Sequence, residues 1–301
     1  MTPPDETLAL GSIAPFGSWR RRLTATIGFV AALPRTAQLG GIIVAIILAV
    51  SLLAPLLATH DPTDQSMIQR NKGFSSEHWL GTDRFGRDTY SRLVIGARYT
   101  LYITASSLLI AASIGTLLGL AAAYNRGGLV DSAVVWFVDV FMTFPTLILG
   151  VIIVAILGSG ITNVALAIAI AFVPRMTRMA RGIAMTVVNN EYIDAARAIG
   201  ASTRRIIVVH LLPNVMSEMA VITTLWLGTA IQIETSLGFL GLGVQPPTPS
   251  WGLMIREGIQ DLYLTPWPSL LPVLAILATI LGLNMLADGL QDALNPTTRE
   301  R

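Results

Sequence analysis

Apolar residues in this chain gather into long runs with almost no charge, separated by polar, Arg-bearing stretches. A helix that crosses a bilayer needs about 20 predominantly apolar residues. Six runs meet that length: roughly Leu39 to Ala58, Leu101 to Tyr124, Ser132 to Leu157, Thr162 to Arg181, Pro213 to Leu240 and Leu270 to Leu290. The third holds Asp139 and then Pro145, which removes an amide donor and predicts a bend. The fourth turns polar after Pro174, and the fifth contains Glu218 and Glu234. The pattern predicts an all-α polytopic membrane protein with six transmembrane helices and both termini on one side. Residues 1–37 then form a tail, 38–58 the first transmembrane helix, 59–100 an outer segment, 101–294 a five-helix core with a polar loop at 186–212, and 295–301 a second tail.

That polar loop, between the fourth and fifth runs, reads as two short helices joined by a glycine turn. Asn190 suits the N-cap of the first, and Glu191 and Asp194 lie in its first turn, where carboxylates favour the positive helix end. Tyr192, Ala195, Ala196 and Ile199 recur at helical spacing and predict one narrow face, on which the alanine pair admits a close neighbour. Gly200 suits a left-handed C′ position, and Ser202 can cap a second helix from Thr203 to Leu212. Pro213 either interrupts that helix or starts the next as its N1 residue. Arg204 and Arg205 fall in a first turn, the wrong end for cations, so a partner's carboxylates or anionic headgroups would offset them.

Composition agrees with a membrane protein: 53% of residues are hydrophobic and only 13% charged, against about 25% charged in soluble domains. The basic residues bracket apolar runs rather than forming one patch, so nucleic acid is not implied. With no cysteine, disulfides, thiolate chemistry and Cys-based metal sites are excluded. His60, His78 and His210 are too far apart in sequence to suggest a metal site. The single lysine, Lys72, lies between Asn71 and Gly73, so the Gly-Lys-Ser/Thr of a P-loop is missing. No nucleophile–base signature occurs, so no catalytic residue is expected. With the N-terminus inside, about 13 of the 20 Lys and Arg fall on the inner side, the side that such residues favour. Both termini and the polar loop are therefore expected in the cytoplasm. The first apolar run starts too late for a signal peptide.

Three stretches carry a resemblance. In the polar loop, Asp194, Ala195, Ala196, Gly200, Leu212 and Pro213 stand at the spacing of the Glu-Ala-Ala loop of bacterial ABC importer permeases, with Asp194 for Glu and His210 for Ile. In the outer segment, His78, Leu80, Gly81, Thr82, Asp83, Gly86, Arg87, Asp88, Ser91, Arg92, Gly96 and Arg98 resemble the HxLGTDxxGRDxxSRxxxGxR stretch of the dipeptide/oligopeptide C-type permeases. After the fifth run, Gly238 to Trp251 and Gly252 resemble the same group's LGLGxxPPxPSWG segment. The chain is similar, over about 80–294, to the C-type transmembrane subunit of the dipeptide/oligopeptide/nickel group.

This resemblance implies a non-catalytic subunit in the cytoplasmic membrane. It implies a B-type permease as heterodimer partner, two ATP-binding subunits or domains that carry ATP and Mg, and an extracytoplasmic substrate-binding protein. Glu191, Asp194, Ala195, Ala196, Gly200, Arg204, Arg205 and Pro213 would then form the coupling hairpin to the ATPases, and no cofactor or metal belongs to this chain. Di- or oligopeptides are the expected cargo, with nickel chelates or glutathione as alternatives. The reading from another class is an ATP-independent secondary transporter, which would cluster charges at the bilayer midplane.

Further expectations concern single residues within and beside the spans. Asp139 either packs or lines a path, and Glu234 either meets cargo or bonds unwound backbone. Glu218 snorkels or pairs with an arginine. The outer Asp and Arg residues pair as a structural cap, Asp88 caps a following helix, and Leu93, Ile95 and Tyr99 lie on an interfacial helix. Trp251, Tyr263 and Trp267 are expected as headgroup anchors.

Overall fold

A computed structural model describes residues 33–294 of the chain, so the expected tails lie almost wholly outside the described residues. The regular elements among the described residues are all helices, with no strand. The helices are α1 (Arg35–Leu52), α2 (Ala54–Leu57), α3 (Thr89–Tyr124), α4 (Leu129–Met142), α5 (Thr146–Leu157), α6 (Ile161–Val188), α7 (Glu191–Ala198), α8 (Thr203–Phe239), α9 (Trp251–Gly258) and α10 (Trp267–Leu294). Five of these, α1, α3, α6, α8 and α10, are long and apolar enough to cross a membrane. The bent pair α4 and α5 makes a sixth if it is one span.

The third apolar run is not one helix. It breaks at residues 143–145, and its halves meet at 92°. Pro145 is the cause: it cannot donate to the preceding turn, and it sits extended at the start of α5. Pro174, by contrast, lies inside α6 without ending it. The stretch around Leu93, Ile95 and Tyr99 is no separate interfacial helix, because Asp88 caps a helix that runs unbroken into the second span. At about 1.5 Å per residue, the 36 residues of α3 are roughly 54 Å long, longer than the roughly 30 Å hydrocarbon core of a bilayer.

Helix α6 is the hub, the most buried of the candidate spans, and it packs most extensively on α3. Small residues permit this approach. A Cβ at Gly115 would lie 2.5 Å from the Met176 Cβ, and one at Gly119 would lie 2.7 Å from the Ala180 Cβ. Such small-xxx-small spacing lets helix backbones close on each other where lipid supplies no hydrophobic drive. We expect Gly119→Leu to force α3 and α6 apart, to cost at least about 1–3 kcal/mol, and to lower the Tm of detergent-purified chain; unchanged melting would refute the contact.

The three arginines of α6 each meet a different neighbour. Arg175 stacks over Trp226 of α8 at 5.1 Å. Arg178 pairs with Asp139 of α4, and Arg181 grips Asp131 of α4 through two bonds of 2.7 and 3.0 Å. Charged groups inside a span need such partners.

Candidate functional site

The polar hairpin closes as its residues predict. Gly200 has φ +81°; its amide donates to the Arg197 carbonyl at 2.9 Å, and the Ala201 amide donates to the Ala196 carbonyl at 3.0 Å. This paired bonding is the Schellman stop that a left-handed glycine allows. Ser202 Oγ accepts from the Arg205 amide at 3.4 Å and starts α8. Asn190 adopts the extended N-cap conformation, but its side chain makes no cap bond.

Two expectations for the hairpin need correction. The alanine pair splits: Ala196 turns inward with Ile193, whereas Ala195 is exposed. The outward apolar face is Tyr192, Ala195 and Ile199, and Ile199 is 86% exposed. Neither does the second helix stop at Leu212. Residues Ile206–Leu211 wind as a π-helix that passes straight into the α-helix beginning at Leu212, so α8 is continuous. Widening the turn before Pro213 accommodates a ring that would collide with the carbonyl four residues back.

Contacts tie the hairpin to the membrane helices. The Tyr124 hydroxyl, at the end of α3, lies 3.2 Å from Thr203 Oγ1, and Arg197 lies 5.5 Å from the Tyr124 ring while bonding Asp194 at 3.1 Å. His210 faces Tyr192 with ring centroids 6.2 Å apart. Glu191, Asp194, Arg204, Arg205 and Pro213 all remain exposed.

Above the hairpin, α3 and α8 flank an apolar groove of about 590 Å³ running from Leu108 and Thr116 to Leu212 and Leu227. Near the start of α8, Asn214, Ser217 and Glu218 are exposed, and none of them lines the groove. Glu218 makes no ion pair among the described residues. With Asn214 four positions before it and Ser217 next to it, Glu218 forms a short polar cluster near the start of the span, which lipid would penalise.

Comparison with known proteins places these features. Residues 115–300 match the family described as the binding-protein-dependent transport system inner membrane component. Residues 35–73 match the N-terminal transmembrane domain of oligopeptide transport permease C. The chain belongs to this family of transport permeases. It is 38% identical to a glutathione transport system permease protein of Pectobacterium atrosepticum, over 92% of this chain and 89% of the relative. It is 40% identical to a dipeptide transport system permease protein of Alkalihalophilus pseudofirmus, over 87% and 86%. Among solved structures, the inward-facing MetNI methionine ABC transporter aligns at TM-score 0.55 and 21% identity, over 68% of this chain and 96% of that one, a likeness of fold.

At the other end of the permease, four charges close into a buried network. Arg87 Nε bonds Asp83 Oδ2 at 2.7 Å, and Arg87 Nη2 bonds Glu257 Oε2 at 2.6 Å. Arg92 Nη2 reaches the same Glu257 oxygen at 2.9 Å, and Arg92 Nη1 donates to the Pro62 carbonyl at 3.1 Å. The expected pairing of Asp with Arg is present, but Glu257, from α9, is a partner that the motif alone did not indicate.

Two more residues depart from expectation. Trp251 is no headgroup anchor: it is buried, and its indole donates to the Leu93 carbonyl at 3.1 Å. Tyr263 is fully exposed and Trp267 partly so. Glu234 is fully buried near Thr100 and Thr235, outside the groove. Asp139 sits at the surface in its pair with Arg178.

The outer segment also folds His78 back onto His60. Ring centroids lie 4.7 Å apart, and Asp88 lies between them. A separation of 18 positions gave no sequence reason to join the two histidines; the turns at Gly81 and Gly86, both with positive φ, return the chain.

Proposed function

We propose that this permease is the C-type transmembrane subunit of an ATP-driven importer of di- and oligopeptides. It works with a second permease, two ATP-binding subunits and an extracytoplasmic binding protein, and both its termini face the cytoplasm. The observation that carries this reading is the exposed Tyr192–Ala195–Ile199 face on a hairpin that is hydrogen-bonded to the end of α3. An ATPase gripping that face would move α3 and α8 together, and those helices border the groove. ATP hydrolysis would come from the partners, since Lys72 has no P-loop context.

The relatives named for glutathione favour that tripeptide as a second cargo. One experiment separates the readings: uptake into proteoliposomes holding the assembled importer, with labelled dipeptide, oligopeptide or glutathione. ATP-dependent accumulation of peptide, and no ATP turnover by this chain alone, are expected. Uptake driven by a proton gradient without ATP would overturn the proposal.

A further inference from the structure

We propose that His60, His78 and Asp88 form a divalent transition-metal site, of the kind that takes Zn²⁺, on the outer side of the chain. The three candidate ligand atoms lie within 4.8 Å of one another. His78 Nδ1 is 2.9 Å from Asp88 Oδ1, and His60 Nδ1 is 3.9 Å from Asp88 Oδ2. Ligands at about 2.1 Å from a tetrahedral ion stand roughly 3.4 Å apart. A small rotation of His60, whose side chain is 37% exposed, therefore completes the triangle.

The surroundings are those of a built site. His78 and Asp88 are buried. His78 Nε2 meets the side-chain oxygen of Gln69. That contact fixes the ring proton on Nε2 and leaves the Nδ1 lone pair aimed at a carboxylate. A lone pair facing a carboxylate at 2.9 Å is satisfied by a cation, either a proton or a metal ion held to one side of the pair. A carbonyl holding the far N–H of a ligating histidine is the usual second layer of such sites.

Ser91 sets the frame. Its hydroxyl accepts from the Thr59 and His60 amides at 3.1 and 3.0 Å, and its own amide donates to Asp88 Oδ2 at 2.7 Å. Imidazole and carboxylate donors suit zinc, and a fourth position opens beside His60 to water. The ion would pin the segment after α2 to the first turn of α3.

The test uses the full chain, purified in detergent with a tag free of His and Cys. With no cysteine and only three histidines in the sequence, competing sites are few. Equilibrium dialysis against Zn²⁺ should give one tight equivalent, and Co²⁺ should produce visible absorption of an N/O site. His60→Asn should lose the equivalent. Asp88→Asn, which keeps a capping oxygen for Ser91, should weaken it, and Gln69→Leu should lower the affinity about 10–100-fold. Gel filtration and tryptophan fluorescence verify that each variant is folded. Absence of a stoichiometric ion on the parent chain, or equal binding by folded His60→Asn and Gln69→Leu, would overturn the site.

Discussion

Ile199→Glu is expected to abolish ATP-driven uptake while the permease still inserts, folds and meets its second permease. Ile199 is 86% exposed, so the substitution removes no internal contact. It sits at the C-cap of α7, one residue before the left-handed Gly200, and the Schellman bonding uses only backbone groups. The hairpin therefore keeps its shape. What changes is the face that the proposed ATPase partner would grip: an apolar anchor becomes a carboxylate that must be desolvated on docking, and buried anchors of this type carry most of an interface's energy. Losses of 2 kcal/mol or more, a factor of about 30 in affinity, are ordinary at such positions. The measurements are ATP-dependent uptake in proteoliposomes and recovery of ATPase with the tagged permease. Unimpaired uptake would remove Ile199 from the coupling surface. Gly200→Val separates shape from surface: nothing lies within 4 Å of an added Cβ, so the only penalty is the positive φ, about 1–2 kcal/mol. It should loosen the hairpin and lower coupling only in part.

The spans, the hairpin and the turn at Gly200 were legible in the sequence because each rests on local rules: apolar run length, capping, and the one residue tolerant of a left-handed turn. The same local rules failed where a neighbour decides. Ala195 and Ala196 share a sequence face, yet Ile193 and Ile206 lie in the buried core and draw Ala196 inward, leaving Ala195 outside. Trp251 reads as an interfacial aromatic, but α9 folds back so that its indole finds the Leu93 carbonyl of α3. Glu257 and His60 belong to no local pattern; each becomes part of a cluster only when distant segments meet. The π-turn before Pro213 was written in the sequence as a choice between breaking and starting a helix, and the chain takes neither course alone.

Glu257→Leu should produce the largest loss of stability among single substitutions at the end of the bundle where α3 starts. Arg87 and Arg92 side chains are 2% and 1% exposed, and Glu257 accepts from both. Asp83 holds the other side of the network and also accepts from the Phe85 and Arg87 amides at 2.8 and 3.0 Å, so it cannot turn to cover the deficit. With Glu257 present, two cations face two anions. Without it, two guanidiniums share one carboxylate away from water, and breaking a buried pair in this way costs about 3–5 kcal/mol. For a chain of this size that corresponds to a Tm lower by on the order of 10 °C. Salt should restore little, because ions in solution screen buried charges weakly. The exposed Glu77 supplies the control: Glu77→Gln should shift stability by no more than about 0.5 kcal/mol. A double variant, Glu257→Leu with Arg92→Met, should recover much of the loss, since a buried ion pair replaced on both sides by apolar groups is often tolerated. Detergent melting of the four chains is the measurement. Equal Tm for Glu257→Leu and the parent would mean that the network does not hold α9 to the start of α3. Recovery in the double variant would assign the loss to the uncompensated cation rather than to missing packing at the end of α9.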